Sequence, residues 1–286
     1  QKDAAEKLAE EYLFGTSSVY GASTFYDFTR PENKGKKVYV CNGSACLVAG
    51  TQEALKEQLR QHFKEEEIGE MCCLGRCHEN SAFHYNGHNY SGKQAAFASN
   101  FNGSAGEMTW EDSYRVAATG AGILTGEPLS IDDCNDIIRR MLATPAEDVL
   151  QEIKTSGLRG RGGAGFPIAI KLDGCRKAES DRKFIVCNAD EGDPGSYSDR
   201  YVLEKQPNSL LLGMLITGYV TGADRGVLYI RYEYPESIEI MRNAIAELRK
   251  AGILGDNIFG SDFSFEFKII EARGAYICGE ETALLA

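Results

Sequence analysis

The stretch Gly157 to Pro167, GLRGRGGAGFP, places five glycines and two arginines within eleven residues. Glycine lets a backbone turn tightly and approach a ligand closely, and arginine adds a fixed cation with a planar set of donors. The stretch therefore predicts a loop that holds a phosphate-bearing cofactor. The alternative interpretation is a glycine loop with two solvated arginines.

Two common nucleotide-binding loops do not fit this stretch. Residues 160–165 have the G-x-G-x-x-G spacing of a Rossmann turn, but that turn follows a β-strand. The preceding residues 146–156, AEDVLQEIKTS, instead carry their apolar side chains at helical spacing. A P-loop is excluded because no Gly-Lys-Ser or Gly-Lys-Thr follows the glycines. A helix, and not a strand, is predicted to lead into the loop.

The composition limits the class of partner. The chain has 286 residues, 43% of them hydrophobic, and a net charge of −11. This size allows about two globular domains, and the negative charge argues against binding nucleic acid or anionic lipid. The most apolar stretch, Leu210 to Ala223, is shorter than the roughly 20 residues of a membrane span. It predicts a buried helix and no direct membrane insertion, so the expected partners are proteins or small molecules.

The cysteines indicate a metal centre. Five of the nine lie between Cys41 and Cys77, which fits a cluster in a reducing compartment better than a disulfide framework. No signal peptide is visible and the first residue is not Met, so a cytoplasmic, N-terminally truncated chain is expected.

Four of these cysteines form two groups with the spacings C-x4-C and C-x3-C. Four thiolates from two loops are what a 2Fe-2S cluster requires, and the predicted ligands are Cys41, Cys46, Cys73 and Cys77. Cys72 competes with Cys73 for one position. A zinc site and a thioredoxin-type redox pair are the alternatives, but the C-x2-C spacing that both favour is absent from this region.

Other candidates near the cysteines are weaker. His78, beside Cys77, could be a ligand of a Rieske-like site or a surface residue. Cys134 and Cys175 have no partner in the sequence and are interpreted as simple thiols, buried or at the surface.

The N-terminal part has the pattern of a small α/β domain. A strand ends at Cys41, a helix is predicted over Gly50–Lys64 with Thr51 as its N-cap, and a hairpin with an Asn-Gly turn spans Ala82–Tyr90. The first domain is expected to comprise residues 1–96. A connector with one short helix is expected over 97–145, and a second α/β domain over 146–286.

In the second domain, a strand Lys183–Cys187 runs into an acidic segment with the polar residues Asn188, Asp190, Glu191 and Asp193. The C-terminal edge of a parallel sheet is where α/β proteins bind ligands. Carboxylates there can bind ribityl and ribose hydroxyls. The alternative is an ordinary acidic turn, which Asp-Pro-Gly alone would favour.

Three motifs in the second domain resemble the NADH-oxidising flavoprotein subunit of the complex I 51-kDa family. They are GLRGRGGAGFP with Lys171, CNADEGDPGSYSDR from Cys187 to Arg200, and GAYICGEETALL from Gly274 to Leu285. The N-terminal part separately resembles the thioredoxin-like 2Fe-2S domain of the 24-kDa subunit, through STFYDF, C-x4-C and CLGRC. Fusion of the two resembles soluble NAD-linked hydrogenase and formate dehydrogenase subunits.

The resemblance implies an α/β fold in which a thioredoxin-like 2Fe-2S domain is followed by a Rossmann-like but atypical FMN/NADH-binding domain. It also implies the residues that contact FMN and NAD(H): Gly160, Arg161, Gly162, Gly163, Ala164, Phe166, Lys171, Asn188, Asp190, Glu191, Asp193, Tyr276, Gly279, Glu280 and Glu281. Among these, Phe166 would lie near the adenine, and Glu281 and Asp193 would orient the nicotinamide. Asp193 stands where many complex I subunits have Glu.

The implied activity is that of a diaphorase subunit. Hydride passes between NAD(H) and FMN and single electrons pass to iron–sulfur clusters, so no catalytic acid or base is expected. NAD is expected over NADP. The implied partners are a hydrogenase or formate dehydrogenase catalytic subunit and other iron–sulfur subunits, in a hetero-oligomer. A 4Fe-4S cluster is expected only in a C-terminal part that is missing. The alternatives are a peripheral NADH dehydrogenase subunit of membrane complex I and an iron–sulfur scaffold without flavin.

Overall fold

The computed structural model describes residues 2–93, 114, 116–161, 163–273 and 276–285. The chain divides into two compact units, Gln1–Tyr114 with Pro194–Ser196 and Arg115–Asp193 with Tyr197–Ala286. The predicted connector, 97–145, lies partly outside the described residues, because 97–113 and 115 are not described.

The first unit combines a four-stranded sheet with short helices. Its helices and strands, in chain order, are α1 Lys2–Tyr12, α2 Thr16–Phe25, β1 Val38–Cys41, α3 Ser44–Ala49, α4 Gln52–Leu59, β2 Ile68–Met71, β3 Ala82–Tyr85 and β4 His88–Ser91. Single 3-10 turns cover Asp27–Thr29, Pro31–Asn33 and Glu65–Glu67. The sheet order is β2-β1-β3-β4, with β1 and β2 parallel and the other pairs antiparallel.

The sheet packs against α4 because both carry apolar residues on the facing sides. Leu55 and Leu59 of α4 are buried with Val38, Val40 and Phe83 of the sheet. The predicted Asn-Gly turn connects β3 and β4, with positive φ at both residues, as such a hairpin requires.

Two details of the prediction for this unit are wrong. The helix expected over Gly50–Lys64 is α4 alone, which ends at Leu59, and a separate helix, α3, precedes it. Thr51 occupies the N-cap position without capping the helix, because its hydroxyl accepts the backbone N–H of Ser81 at 3.1 Å.

The second unit is built on a three-stranded parallel sheet. Its elements are α5 Ile131–Leu142, α6 Ala146–Ser156, α7 Ile168–Lys177, β5 Phe184–Ala189, α8 Ser198–Lys205, α9 Pro207–Thr221, β6 Arg225–Arg231, α10 Pro235–Lys250, β7 Glu266–Ala272 and α11 Glu281–Leu285. Two 3-10 turns cover Ile258–Gly260 and Tyr276–Gly279. The strand order is β5-β6-β7, and Ala189 pairs with Ile230, which pairs with Glu271. The three carboxyl ends therefore meet at one edge.

The core of this unit lies between the sheet and the helices α5, α9 and α10. Helix α9 is apolar on all sides, so it is buried, as predicted for Leu210–Ala223. Among the described residues, no helix combines the length and hydropathy needed to cross a bilayer.

The structure also corrects the boundaries around the predicted ligand loops. A helix, α6, leads into the glycine stretch as predicted, and α7 follows it directly. Strand β5 continues to Ala189, so Asn188 lies within the strand and not in the loop after it. Helix α8, which begins within the second motif and extends beyond it, has no counterpart in the prediction.

Candidate functional site

The glycine loop, residues 157–167, closes on itself between α6 and α7. The N–H of Gly160 donates to the carbonyl of Phe166 at 2.9 Å, and Arg159 forms an isolated antiparallel bridge with Pro167. Arg159 Nη1 also donates to the carbonyl of Gly165 at 2.9 Å. This arginine therefore holds the loop shut, while Arg161 is exposed.

The loop lines an open cleft of about 510 Å³ whose described walls come from residues 156–165. Gly163 and Gly165 have φ of 127° and 59°, and a Cβ at either would meet no atom within 4 Å. These positions combine a backbone that favours glycine with open space for a ligand. Gly162 lies outside the described residues.

The remaining predicted members of this wall lie at the surface. Ala164 and Lys171 are exposed, and Phe166 is 45% exposed. Lys171 belongs to the first turns of α7, whose N-terminus directly follows the loop. The start of a helix, with cations nearby, is a favourable environment for phosphate.

The acidic turn, residues 188–193, lies at the carboxyl end of β5. Asn188 Nδ2 donates to the carbonyl of Cys278 at 3.3 Å, and its Oδ1 accepts the N–H of Asp190 at 3.1 Å. The first of these bonds joins the second motif to the third. Two motifs separated by about 90 residues in sequence are thus adjacent in the fold.

Asp190 is buried at this edge, with only 9% of its surface exposed. Its Oδ2 has no hydrogen-bond partner among the described residues. Burial raises the pKa of Asp190, the positive charge of Arg231 opposes that rise, and Glu233 adds to it. A buried acceptor without a donor indicates a place for a ligand hydroxyl.

Glu191 faces the protein interior. Its carboxylate accepts the hydroxyl of Tyr234 at 3.0 Å and that of Ser198 at 2.9 Å. It also accepts the backbone N–H groups of Asp199 and Arg200, at 3.0 and 3.2 Å, in the first turn of α8. The residue predicted to contact FMN thus caps a helix N-terminus, a favourable place for a negative charge.

The other predicted contacts are distributed around this edge. Asp193 is exposed at the end of the acidic turn. Glu280 Oε2 accepts the N–H groups of Thr282 and Ala283, at 3.1 and 3.3 Å, at the start of α11. For the remaining three members of the third motif the structure describes the backbone only: Tyr276, Gly279 and Glu281.

Three buried residues behind the acidic turn were not predicted from the sequence. They are Arg200, Arg231 and Tyr234, all at most 7% exposed. Arg231 Nη1 donates to the main-chain carbonyl of Glu191, and Arg200 pairs with Glu204 at 2.8 Å and Glu236 at 3.1 Å. For Arg231 the available signal was its charge at the end of the otherwise apolar run 226–230.

The cysteines of the first unit form two pairs. The thiols of Cys41 and Cys46 are hydrogen-bonded to each other, as are those of Cys73 and Cys77. The bond from Cys41 lowers the pKa of Cys46 to about 6, and the same pairing raises that of Cys41. Each pair therefore brings two thiols close together.

Backbone groups surround the first pair. Gly43 and Leu74 hydrogen-bond the sulfur of Cys41, and Ser81 and Ala82 that of Cys46. A Cβ at Gly43 would lie 3.2 Å from the backbone nitrogen of Cys73, so the two cysteine loops approach closely. N–H donors to sulfur are a recurrent feature of iron–sulfur sites, where they tune the reduction potential.

Cys72 and His78 lie outside the two cysteine pairs. Cys72 is exposed, and its backbone N–H donates to Asp27. The His78 ring stacks on Tyr114 with 4.5 Å between the ring centroids. In the second unit, Cys134 is fully buried in the core, whereas Cys175 is half-buried.

The paired arrangement bears on the type of metal centre. Among the described residues, no three side chains of the ligand-forming types are grouped as one metal ion would need. A single zinc ion takes four ligands around one point, whereas each iron of a 2Fe-2S cluster takes two thiolates. Two pairs of thiols fit the second arrangement.

Two family models match the sequence. The family described as Nuo51 FMN-binding domain matches residues 153–286, and the family described as thioredoxin-like [2Fe-2S] ferredoxin matches residues 1–99. The first range contains the glycine loop and the acidic turn, and the second contains both cysteine pairs. The predicted fold class, with its FMN-binding and 2Fe-2S domains, is confirmed.

Curated relatives cover the chain to different extents. It is 31% identical to the NAD-reducing hydrogenase HoxS subunit alpha of Cupriavidus necator, over 92% of this chain and 48% of the relative. It is 46% identical to the NADP-reducing hydrogenase subunit HndC of Solidesulfovibrio fructosivorans, over 63% and 37%. For an NADH-quinone oxidoreductase subunit of Escherichia coli the identity is 45%, over 49% and 32%. The chain thus spans half or less of these relatives.

A solved structure has the same fold. The crystal structure of an NAD+-reducing [NiFe]-hydrogenase in the H2-reduced state matches with a TM-score of 0.68 and 24% sequence identity. The match covers 100% of this chain and 51% of that chain.

Proposed function

We propose that the chain is an NADH:acceptor electron-transfer subunit, because residues 153–286 match the Nuo51 FMN-binding domain model and residues 1–99 match the thioredoxin-like [2Fe-2S] ferredoxin model. It exchanges electrons between NAD(H) and iron–sulfur clusters within a soluble NAD-linked hydrogenase complex. The activity is that of a diaphorase and belongs to the oxidoreductases.

The fusion of the two domains carries this proposal. The hydrogenase relative from Cupriavidus necator aligns over 92% of the chain, and therefore over both domains. The NADH-quinone oxidoreductase relative from Escherichia coli aligns over 49%. A hydrogenase-type subunit accounts for both parts of the sequence, whereas the complex I alternative accounts directly for the FMN domain alone.

The described residues fit a flavin mononucleotide. When bound, FMN supplies the conversion between hydride transfer and single-electron transfer. The cations and helix start beside the glycine loop favour a phosphate, and the unpartnered Oδ2 of Asp190 is an acceptor for a ribityl hydroxyl. The protein orients the cofactor and neutralises its phosphate charge, and it needs no catalytic acid or base of its own.

The assignment of the individual contacts is part of the proposal. The loop residues Gly160 to Ala164, with Lys171, line the phosphate side, while Asn188 and Asp190 bind hydroxyls. Phe166 is available to stack on the adenine, and Asp193 and Glu281 orient the nicotinamide. Glu191 supports the site without contacting FMN through its carboxylate, because that carboxylate already accepts hydrogen bonds from protein groups.

We assign the cluster to Cys41 with Cys46 on one iron and Cys73 with Cys77 on the other. Removing a ligand must release the cluster, so Cys73→Ser is expected to lose iron and the visible absorption of the cluster. The matched control is Cys72→Ser, which should retain both, because Cys72 is exposed and outside the pairs. Iron loss from Cys72→Ser with retention in Cys73→Ser would reverse the assignment.

The expected partners are a hydrogenase catalytic subunit and other iron–sulfur subunits, in a cytoplasmic hetero-oligomer. A formate dehydrogenase catalytic subunit is the alternative to the hydrogenase catalytic subunit. Mass spectrometry of subunits that co-purify with the full-length protein distinguishes the two, and membrane subunits of complex I would contradict both.

The nucleotide preference is the most direct test of the diaphorase activity. Acidic groups near the ribose disfavour a 2′-phosphate, so turnover with NADH should exceed turnover with NADPH when an artificial acceptor is supplied. The similarity to an NADP-reducing hydrogenase subunit makes the comparison informative. Equal rates would contradict the proposed NAD preference.

A further inference from the structure

One buried arginine lies directly behind the acidic turn. Arg231, the last residue of β6, is 7% exposed. Its Nη1 donates to the main-chain carbonyl of Glu191, and its Nε donates to Glu233 Oε2 at 3.1 Å. Its guanidinium carbon lies 5.1 Å from the centroid of the Tyr234 ring. A planar group with several donors can hold a turn in this way, whereas a flexible ammonium cannot.

The residue next to this contact is Asp190. Its charged neighbours are Arg231 and Glu233, which act on it with opposite sign. The Asp190 backbone is fixed on one side by Asn188 Oδ1 and on the other by the carbonyl of Glu191 bound to Arg231. Its Oδ2 is buried and without a donor among the described residues.

We propose that Arg231 is a positioning residue of the flavin site, which fixes the acidic turn so that Asp190 presents its Oδ2 to a hydroxyl of the bound FMN. This inference rests on the proposed function. In this role Arg231 acts through Asp190.

The same network offers a matched control. Arg200 is 2% exposed and its guanidinium lies over the same Tyr234 ring. Its side chain pairs with Glu204 and Glu236, and its backbone N–H donates to Glu191. Replacing Arg200 therefore disturbs the buried network while leaving the contact between the Arg231 side chain and the Glu191 carbonyl in place.

The test is a double-mutant cycle on the full-length protein, freed of flavin and titrated with FMN. The variants are Arg231→Met, Asp190→Asn and their combination, with Arg200→Met as control. FMN affinity is measured by flavin fluorescence, and thermal stability is measured in parallel. Loss of a buried charged contact predicts an FMN affinity at least about 10-fold weaker in Arg231→Met.

The decisive result is non-additivity, since coupled residues do not lose binding energy independently. In the Asp190→Asn background, Arg231→Met should weaken FMN binding by no more than about 2-fold. Arg200→Met should lose thermal stability but keep FMN affinity within about 2-fold of wild type.

Two other results would overturn the inference. An equal loss from Arg231→Met in both backgrounds would show that Arg231 does not act through Asp190. An equal affinity loss in Arg200→Met and Arg231→Met would reduce the effect to general destabilisation. In both cases wild-type FMN binding would leave the proposed function intact. A wild-type chain that binds no FMN would instead reject both the proposed function and this inference.

Discussion

The glycine loop and the acidic turn are two walls of the proposed flavin site, and they are held in different ways. The loop is exposed and fastened by its own residues, through Arg159 and the bridge to Pro167. The acidic turn is buried and fastened by Arg231 and Tyr234, about 40 residues further along the chain. One wall is a local structure, whereas the other depends on the assembled sheet.

This difference separates ligand contact from structural support. In the loop, the groups that would meet a ligand are also those that the sequence makes conspicuous. In the turn, Glu191 belongs to the motif, yet its carboxylate supports α8 and Tyr234. Substitution of Glu191 should therefore affect folding first, and substitution of the exposed ligand-facing groups of the loop should affect binding first.

The largest expected effect is from Glu191→Gln. The amide nitrogen of glutamine cannot accept a hydrogen bond, so buried donors from α8 and Tyr234 lose an acceptor. The free energy of unfolding, measured by urea denaturation, should fall by about 2–4 kcal/mol. The control is Glu147→Gln, whose exposed pair with Arg176 should contribute less than about 1 kcal/mol. If both variants lost the same free energy of unfolding, Glu191 would have no special role in supporting the acidic turn.

A smaller effect is expected from Gly165→Ala in the loop. The backbone of Gly165 has φ of 59°, so a Cβ is strained by about 1–2 kcal/mol even though the surrounding space is open. We expect the loss in the free energy of FMN binding to be larger than the loss in the free energy of unfolding. Gly213→Ala provides the opposite control, because Gly213 is an exposed position within α9. That change should raise stability by about 0.5–1 kcal/mol.

The two loop arginines should separate support from binding. Arg159→Ala removes the donor to the Gly165 carbonyl, so stability should fall by about 1 kcal/mol. Arg161→Ala, at an exposed position, should change stability by less than about 0.5 kcal/mol and weaken the binding of FMN. Calorimetry of both variants, with and without FMN, measures both quantities. If Arg161→Ala lowered stability and Arg159→Ala mainly weakened FMN binding, the two assigned roles would be reversed.

The smallest effect concerns pH and Asp199, at the start of α8. Asp199 as a whole residue is exposed, yet its carboxyl group is crowded. Burial, with the charge of Glu191, raises its pKa to about 6 from 3.8. A raised carboxyl pKa means that the folded state holds the proton more tightly, so stability decreases as the pH rises from 4 to 6. Solvent screening makes the change modest.

Melting temperatures across this pH range, for the wild type and Asp199→Asn, provide the measurement. In Asp199→Asn, the melting temperature should fall less than in the wild type as the pH rises from 4 to 6. Identical profiles would show that Asp199 does not titrate in this way.

Much of the fold was predictable because its signals are local. The Asn-Gly hairpin follows from residues that accept positive φ, and α9 follows from a long, largely apolar run. The three motifs identified the candidate site. The supporting residues did not follow from the sequence, because nothing local links Glu191 with Arg231 or Tyr234. Only the parallel pairing of β5 with β6 brings them together.

The direct test of the whole account is an anaerobic titration of the full-length protein with NADH, followed by optical absorption. In the wild type, flavin absorption should be lost and the 2Fe-2S absorption should be lost with it, whereas the Cys73→Ser variant should show the flavin change alone. A purified protein with cluster absorption, no flavin released on denaturation and no response to NADH would contradict it.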